Sequence, residues 1–217
     1  MEKRSFEGDF RMKKLLITGF APFGGEEINP SWEAVLRLPE TLGEYELCKL
    51  CLPVVFGEAA ELAIAEAEKI SADAVLSIGQ AGGRAAVTPE LVGINLRHAK
   101  IPDNKGNQPR DEAIIPGGAA AYFSTLPVRK MAEAIRAAGL PSELSYSAGA
   151  YVCNELLYSL LARFDTENKD RKEGEKHKKT RAAFIHVPYI PEQGKEPNLS
   201  LDNIVNALIV AIENLDQ

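Results

Sequence analysis

Short apolar runs alternate along the chain with longer segments in which apolar residues recur every three or four positions. The runs have the length of strands buried on both faces of a sheet, and the longer segments have the spacing of helices with one buried face. The predicted strands cover residues 14–18, 47–55, 74–78, 144–146 and 182–186, and the predicted helices begin at 29–31 and cover 57–70, 128–138, 152–164 and 201–215. This alternation predicts an α/β fold, a single-domain three-layer α/β/α sandwich around a mainly parallel twisted sheet.

Several predicted helices carry recognisable end signals. Asn29 followed by Pro30 is typical of a helix start, and Ser200 is placed to cap the last helix. Gly139 is placed to end the helix over 128–138. The helix over 57–70 is expected to bury a broad apolar side made of Leu62, Ile64, Ala67 and Ile70.

Cys153 is predicted to lie in the first turn of the helix that follows Ser147, Ala148 and Gly149. Unpaired N–H groups and the positive end of the dipole favour an anion at a helix start, so a thiol there ionises more easily. Such a cysteine can act as a nucleophile. A free cysteine is also often a small buried core residue, and position alone favours that second role.

Two predicted strands end in glycine-rich loops, at residues 19–25 and 79–84. Loops of this kind lie at the carboxyl edge of an open α/β sheet, where ligands bind. Neither loop has the spacing of a dinucleotide fingerprint or of a phosphate-binding P-loop, so a nucleotide site is weakly supported. Phe20 and Phe23 in the first loop are either core residues or the walls of a small apolar pocket, and their spacing leaves both roles open.

Three chemically useful side chains are predicted to meet at this carboxyl edge. They are Cys153, His186 at the end of the last strand, and Glu90 beyond the strand at 74–78. Attack by a thiol needs a base, and imidazole titrates in the right range. A carboxylate on the other ring nitrogen fixes the tautomer and stabilises the imidazolium. Of the three histidines, His186 is the best placed for this role.

Composition narrows the class of protein. With 217 residues, 45% hydrophobic and 26% charged, the chain has the make-up of a soluble globular protein. Its net charge of −6 argues against binding nucleic acid. No apolar run approaches the roughly 20 residues that cross a membrane, and the charged N-terminus is not a secretory signal. Three cysteines, an odd number, indicate reduced thiols and a cytoplasmic location.

Cys48 and Cys51 have the C-x-x-C spacing of some metal and redox sites. They fall in a predicted strand, where residues three apart point to opposite faces. No second Cys or His pair completes a zinc site. We therefore expect a structural role for both residues and no metal centre.

Two segments are expected to lie outside the main body. Residues 1–11 precede the first strand and are predicted to be a loose extension, with residues 12–217 forming one domain. Residues 166–181 are almost entirely charged or polar and are predicted to form a mobile surface insertion that contains His177 and does not affect catalysis.

Motifs along residues 12–217 together resemble pyroglutamyl peptidase I, the pyrrolidone-carboxyl peptidase family of cysteine peptidases. The motifs are TGFAPFGG at 18–25, NP at 29–30, LPVVF at 52–56, GQAGGR at 79–84, IPDN at 101–104, AYFSTLP at 121–127, SAGAYVCN at 147–154 and HVPYIPEQ at 186–193. The resemblance implies hydrolytic removal of an N-terminal pyroglutamyl residue from peptides. It maps the family's catalytic residues onto Glu90, Cys153 and His186.

The same resemblance implies a separate role for each of the three catalytic residues. Cys153 attacks the acyl carbon and forms a thioester, His186 acts as base and then acid, and Glu90 orients His186. The oxyanion is expected to be held by the backbone N–H of Cys153, with Arg84 or the glycine loop nearby.

The substrate ring is assigned by the resemblance to a pocket built from Phe20, Phe23 and Tyr151, with Gln80 hydrogen-bonding the lactam. A flat, partly apolar slot suits a ring without a charged amine. The expected partners are peptides with a blocked pyroglutamyl N-terminus. The resemblance also implies a homotetramer and no cofactor.

Two other classes of function remain open on the sequence. One is a small-molecule enzyme of similar build, such as a nucleoside phosphorylase, and the other is a catalytically silent relative that acts as a binding module. His98 is a local departure from the family pattern, which has an acidic residue beside the IPDN motif. We expect His98 to be an exposed or hydrogen-bonded loop residue without a catalytic role.

Overall fold

The computed structural model describes residues 11–169 and 179–216. Its strands are β1 (Lys13–Phe20), β2 (Thr41–Leu42), β3 (Tyr45–Leu52), β4 (Ala74–Gln80), β5 (Thr88–Pro89), β6 (Val92–Ile94), β7 (Ala121–Phe123) and β8 (Arg181–Val187). Six of them form one sheet in the order β2-β3-β1-β4-β8-β5. The four interior strands are parallel, and the short edge strands β2 and β5 run antiparallel to their neighbours. Strands β6 and β7 form a separate antiparallel pair.

Helices cover both faces of the six-stranded sheet. They are α1 (Pro30–Arg37), α2 (Glu58–Lys69), α3 (Val128–Ala137), α4 (Val152–Lys169) and α5 (Leu201–Glu213). Helices α1, α3 and α5 pack against one face, and α2 and α4 pack against the other. Strands β1, β4 and β8 are buried along most of their length because helices cover both of their faces, whereas β3, nearer the edge of the sheet, is only partly buried. The predicted three-layer α/β/α fold is confirmed.

The strand register determines which residues share the carboxyl edge. Strands β4 and β8 pair in parallel with Gly79 opposite His186. Strand β1 pairs with β4 and ends at Phe20, at the same edge as Gln80. Three of the predicted site residues, Phe20, Gln80 and His186, are therefore placed together by the sheet alone.

The predicted helix ends agree with the structure. The Asn29 side chain accepts a hydrogen bond from Ser31 N at the start of α1, where Pro30 is the first helical residue. Ser200 caps α5 in the same way. Gly139 follows α3 with a φ of +80°, a left-handed backbone angle that favours glycine.

The buried side of α2 differs from the prediction. The helix buries its alanines, whereas Leu62 is 43% exposed and Ile64 and Ile70 are only partly buried. Small side chains let the helix lie close to its neighbours, so the closest face is the one with the smallest residues rather than the largest. The buried positions are Ala59, Ala60, Ala63 and Ala67.

The strand predicted over residues 144–146 is also not a regular strand. This segment makes one isolated bridge, Ser145 with Glu90, and Ser142 just before it makes another with Val87. Its backbone still pairs with the chain on either side of Glu90, since Leu91 N donates to Ser145 O and Ser145 N donates to Pro89 O. The segment therefore supports Glu90 even though it does not extend the sheet.

The charged segment begins and ends in regular structure, contrary to the prediction of a loop over 166–181. Helix α4 continues to Lys169, and Arg181 is the first residue of β8. A helix that has been nucleated extends at little cost through polar residues, so loss of apolar periodicity did not mark its end. Residues 170–178, with His177, and residues 1–10 lie outside the described part of the chain. Because His186 lies near the far end of β8, the segment joins that strand at the edge opposite the site.

The C-x-x-C cysteines lie on β3 as free thiols, Cys48 partly buried and Cys51 exposed. Within residues 11–169 and 179–216, no group of three or more His, Cys, Asp or Glu side chains comes together that could hold a metal ion. None of the described helices has the length and apolar character needed to cross a membrane.

Candidate active site

The sulfur of Cys153 lies against the carboxyl end of β4. Cys153 is the second residue of α4, and Gly149, with a φ of +77°, turns the chain into that helix. A Cβ added to Gly79 would lie 3.0 Å from Cys153 Sγ and 2.6 Å from the ring of Phe184. Gly79 therefore leaves room for the sulfur beside His186, its partner on β8.

Glu90 and His186 form a buried pair. Glu90 follows β5, and its N–H donates to Phe184 O at 2.8 Å, which places it beside β8. His186 Nδ1 lies 2.7 Å from Glu90 Oε1, and Glu90 is fully buried. A carboxylate only accepts hydrogen bonds, so Nδ1 carries the proton and Nε2 keeps its lone pair.

Arg84 joins Glu90 to the turn before α4. Its guanidinium donates to Glu90 Oε1 and to Thr88 Oγ1, both at 2.6 Å, and to Ser147 O at 3.1 Å. The N–H groups of Arg84 are therefore used by Glu90 and by residues close to it in space. The sequence had placed Arg84 near an oxyanion; its contacts instead fit a residue that holds the carboxylate.

The buried pair has pKa values suited to proton transfer. Burial raises the pKa of Glu90, but the hydrogen bond from His186 and the charge of Arg84 outweigh it, and the net pKa is lowered. Glu90 is therefore ionised at neutral pH. Burial lowers the pKa of His186 by more than Glu90 raises it, so the imidazole is neutral and able to accept a proton.

The thiol does not show the lowered pKa expected at a helix start. Burial, followed by the negative charge of Glu90, raises the pKa of Cys153 to about 12. Arg84 and the residue's own N–H act in the opposite direction but are outweighed. Desolvation of a thiolate is larger here than the helix-start effect, so the thiol is protonated at neutral pH.

Cys153 and His186 flank the same glycine without being hydrogen-bonded to each other. In the described part of the chain, no hydrogen bond joins Cys153 Sγ to His186. The ring of Phe184 packs on His186 with centroids 4.7 Å apart, and it also borders the position where a Gly79 Cβ would meet the sulfur. Catalytic hydrogen bonds are often long in the free enzyme and tighten only when substrate binds.

An apolar slot opens in front of the sulfur. About 280 Å³ of empty space, counted out to the open mouth, is lined by Phe20, Phe23, Asn29, Val54, Gln80, Tyr151, Val152 and Cys153. The structure thus brings together all four residues predicted for the ring pocket. Asn29 and Val54 were not predicted; the sequence marked Asn29 only as a helix cap.

One wall of the slot is fixed by the loop that carries the IPDN motif. The Tyr151 hydroxyl donates to Pro102 O at 3.0 Å, and the Asn104 side chain donates to Pro22 O beside Phe23. Asp103 is buried and accepts hydrogen bonds from Phe56 N and from the backbone of the loop itself.

The aromatic rings of this wall are in contact. Phe56 packs edge-on against Tyr151 with centroids 5.2 Å apart, and Phe23 lies at 6.4 Å from the same ring. His98 lies on the same long loop, 2.8 Å from Asp111 through Nδ1, as expected for a hydrogen-bonded loop histidine.

Comparison with known proteins settles the family. The model for the family described as pyroglutamyl peptidase matches residues 13–217. The chain belongs to the pyroglutamyl peptidase family. A pyrrolidone-carboxylate peptidase of Staphylococcus haemolyticus is 49% identical over 208 residues, covering 94% of both proteins. Another, of Thermosipho africanus, is 46% identical over 204 residues, covering 92% of this chain and 95% of the relative.

Solved structures of pyroglutamyl peptidases have the same fold. Pyroglutamyl peptidase I of Bacillus amyloliquefaciens aligns with a TM-score of 0.85 at 44% identity, over 94% of this chain and 96% of that one. A mutant pyrrolidone carboxyl peptidase of Pyrococcus furiosus aligns with the same TM-score at 39% identity, over 93% and 97%. The resemblance drawn from the motifs is confirmed, and the nucleoside phosphorylase alternative is wrong.

Proposed function

We propose that this chain is a pyroglutamyl-peptidase I, a cysteine hydrolase that removes N-terminal pyroglutamyl residues from peptides. The observation that carries the proposal is the position of Cys153, which lines the apolar slot and also lies against Gly79, the residue that pairs with His186 across the sheet. A ring held in that slot presents its acyl carbon to the sulfur, and the neighbouring strand carries His186 to the same edge of the sheet. Family membership independently supports the same activity.

The proton moves during attack rather than before it. Both groups are neutral near pH 7, because burial raises the pKa of Cys153 and lowers that of His186. As the sulfur bonds to the acyl carbon, its proton passes to His186 Nε2, and Glu90 stabilises the imidazolium. The C–N bond then breaks, and His186 returns the proton to the leaving amine. Water activated by His186 hydrolyses the thioester and releases the free acid.

The developing oxyanion is assigned to backbone N–H groups at the start of α4. The first N–H bond of this helix is donated by Glu155 to Tyr151 O, so the N–H of Cys153 precedes the hydrogen-bonded turns. Donors fixed at a helix start stabilise negative charge without reorganising. Arg84 is assigned to holding Glu90, because its guanidinium donates to that carboxylate.

The slot explains why a blocked N-terminus is required. A pyroglutamyl ring is flat and uncharged, and it fits between aromatic side chains with Gln80 as a polar partner. An ordinary N-terminus carries an ammonium group that would lose its hydration among Phe20, Phe23 and Tyr151. The expected substrates are therefore peptides that begin with pyroglutamate.

We further propose a cytoplasmic homotetramer that needs no metal or cofactor, as the family resemblance implies. Free thiols at Cys48, Cys51 and Cys153 fit a reducing compartment. Light scattering that gave the mass of one or two chains at micromolar concentration would contradict the tetramer.

The activity is tested by release of a chromophore from a pyroglutamyl amide. The wild type should release it without added phosphate or metal, and iodoacetamide should abolish the release. Cys153→Ser should lower kcat/KM by at least about 1,000-fold, since a serine hydroxyl is a far weaker nucleophile in the same place. The control Cys51→Ser, at an exposed cysteine, should leave the rate unchanged. Full activity of Cys153→Ser would overturn the proposal, and so would an inactive wild type.

A further inference from the structure

The side chain of Gln80, at the end of β4, is hydrogen-bonded to Gln193, which lies 113 residues later in the sequence. Gln193 closes the short 3-10 turn Pro191–Gln193 after β8. Its Nε2 donates to Gln80 Oε1 at 2.9 Å. The proposed reaction gives Gln193 no role, yet it is the one side chain among the described residues that binds the Gln80 amide.

The orientation of the Gln193 amide is fixed at both ends. Its oxygen accepts from the backbone N–H of Ile190 at 3.1 Å, and a backbone N–H is a donor only. Its nitrogen also points toward Glu26 Oε2 at 3.4 Å. Hydrogen bonding to Lys195 lowers the pKa of Glu26, so this carboxylate is an acceptor only. If the Gln193 amide were reversed, its nitrogen would face the Ile190 N–H and its oxygen would face the Glu26 carboxylate. Neither pair could form a hydrogen bond.

This fixed amide determines how Gln80 is oriented. Gln193 offers an N–H to Gln80, so Gln80 must turn its oxygen toward Gln193. The Gln80 NH2 group is then directed elsewhere, and no described residue accepts a hydrogen bond from it. Because Gln80 lines the slot with Phe20 and Phe23, the slot is the region in which that NH2 group can find an acceptor.

We propose that Gln193 is a positioning residue that holds the Gln80 NH2 group toward the slot, so that the enzyme selects rings that contain a lactam carbonyl. The inference rests on the proposed function, in which Gln80 meets the substrate lactam. A pyroglutamyl ring has a carbonyl oxygen to accept this hydrogen bond. A prolyl ring of the same size has no carbonyl in the ring, and it would leave the Gln80 donor unpaired inside the filled slot.

Gln193→Glu is the decisive substitution. One oxygen of the new carboxylate still accepts from Ile190 N–H, while the other can donate neither to Gln80 nor to Glu26, so the Gln80 amide turns its NH2 group toward it. The slot then presents an oxygen to the lactam carbonyl. The inhibition constant of 2-pyrrolidinone, the bare lactam ring, should rise by about 10- to 100-fold, and KM for a pyroglutamyl amide should rise with it. kcat should change by less than about threefold, because the reacting groups are untouched.

Gln193→Ala shows whether the effect comes from reversing the Gln80 amide or only from losing the contact with Gln193. It removes the donor without reversing the Gln80 amide, so its effect on the inhibition constant should be clearly smaller than that of Gln193→Glu. In a Gln80→Ala background, Gln193→Glu should have no further effect, because it acts through Gln80. Lys195→Gln changes the local charge by the same amount and direction, and because Ile190 N–H still fixes the Gln193 oxygen, it should leave the inhibition constant within about twofold.

Three results would overturn the inference. They are an unchanged inhibition constant in Gln193→Glu, an equal or larger effect in Gln193→Ala, and a full effect of Gln193→Glu in the Gln80→Ala background. Each requires a wild type that cleaves the pyroglutamyl amide, and failure of that cleavage would instead reject the proposed function. Circular dichroism melting of each variant checks that the substitution has not destabilised the fold.

Discussion

The two ends of the central sheet carry charged clusters that are built in opposite ways. At the amino end, Asp216 accepts hydrogen bonds from Lys13 at 2.6 Å, Arg181 at 2.5 Å and the hydroxyl of Tyr45 at 3.0 Å. This cluster is partly exposed, with the Asp216 side chain 37% accessible. At the carboxyl end, Glu90 is completely buried and meets one imidazole and one guanidinium.

The difference shows in the direction of the pKa shifts. At the amino end, burial acts against ionisation of Asp216, but Lys13 and Arg181 outweigh it and lower its pKa to about 2. Hydrogen bonding to Asp216 in turn raises the pKa of Lys13, so the charges there are fixed. At the carboxyl end, burial dominates for His186 and Cys153 and leaves both neutral. The amino-end cluster contains fixed charges, and the carboxyl-end cluster contains neutral groups between which a proton can be transferred.

The largest expected effect is loss of the buried carboxylate. Glu90→Gln keeps the size of the side chain but removes the charge that stabilises the imidazolium. We expect kcat/KM to fall by about 100- to 10,000-fold, the range of general acid–base catalysis, whose upper end is reached when the triad aspartate of a serine protease is replaced. Steady-state kinetics on a pyroglutamyl amide measures it. Activity within tenfold of wild type would mean that the carboxyl-end cluster is structural, like the cluster at the amino end.

Gly79→Ala should reduce activity by disturbing the space between the sulfur and the imidazole. Its Cβ would lie 3.0 Å from Cys153 Sγ and 2.6 Å from the Phe184 ring, so one or both must shift. A displacement of about 1 Å at the reacting atoms can cost on the order of 100-fold in rate. Ser77→Ala on the same strand is the matched control, because its buried hydroxyl has no hydrogen-bond partner among the described residues. Equal kcat in both variants would contradict the placement of the sulfur.

The pH profile should show that His186 works as a neutral base. Activity rises as pH rises through the pKa of the imidazole, because the unprotonated form accepts the proton. Burial lowers this pKa, so the acid limb of kcat/KM should lie below about pH 6.5, the ordinary value. In Glu90→Gln the acid limb should move to still lower pH, since the carboxylate that raises the pKa of His186 is lost. A limb that moved to higher pH in this variant would contradict the assignment.

The smallest expected effect belongs to the amino-end cluster. Asp216→Asn should lower the free energy of unfolding by no more than about 1 kcal/mol, because the group is partly exposed and screened by solvent. The contribution comes from a lowered pKa, so it is fully present above about pH 4 and disappears as pH falls toward 2. Urea unfolding at pH 7 and pH 2.5 measures it. A kcat lowered more than twofold would show that the two clusters are coupled.

Local signals in the sequence predicted much of the fold. Asn29 and Ser200 cap helices through residues two or three positions away, and Gly139 ends its helix through its own backbone angle. Such features depend on neighbours in the chain, so one sequence is enough to recognise them. The predicted meeting of Cys153 and His186 at one sheet edge followed from the rule that parallel strands align their carboxyl ends.

Features that depend on distant packing were missed. The exposure of Leu62 follows from how closely α2 lies to its neighbours, and the raised pKa of Cys153 follows from desolvation of the thiol by the other elements that pack around it. The contact between Gln80 and Gln193 joins positions 113 residues apart, and no local pattern indicates it. The motif around Gln193 was visible in the sequence, but its partner was not.

Direct detection of the acyl-enzyme tests the central claim that Cys153 is the nucleophile served by His186. The protein is mixed with a pyroglutamyl ester, quenched in acid within its turnover time, digested and analysed by mass spectrometry. We predict a mass increase of one pyroglutamyl group, labile to hydroxylamine, on the peptide that contains Cys153, and none on the peptide that contains Cys48 and Cys51. An adduct on a different residue, or turnover with no adduct at any quench time, would contradict the account.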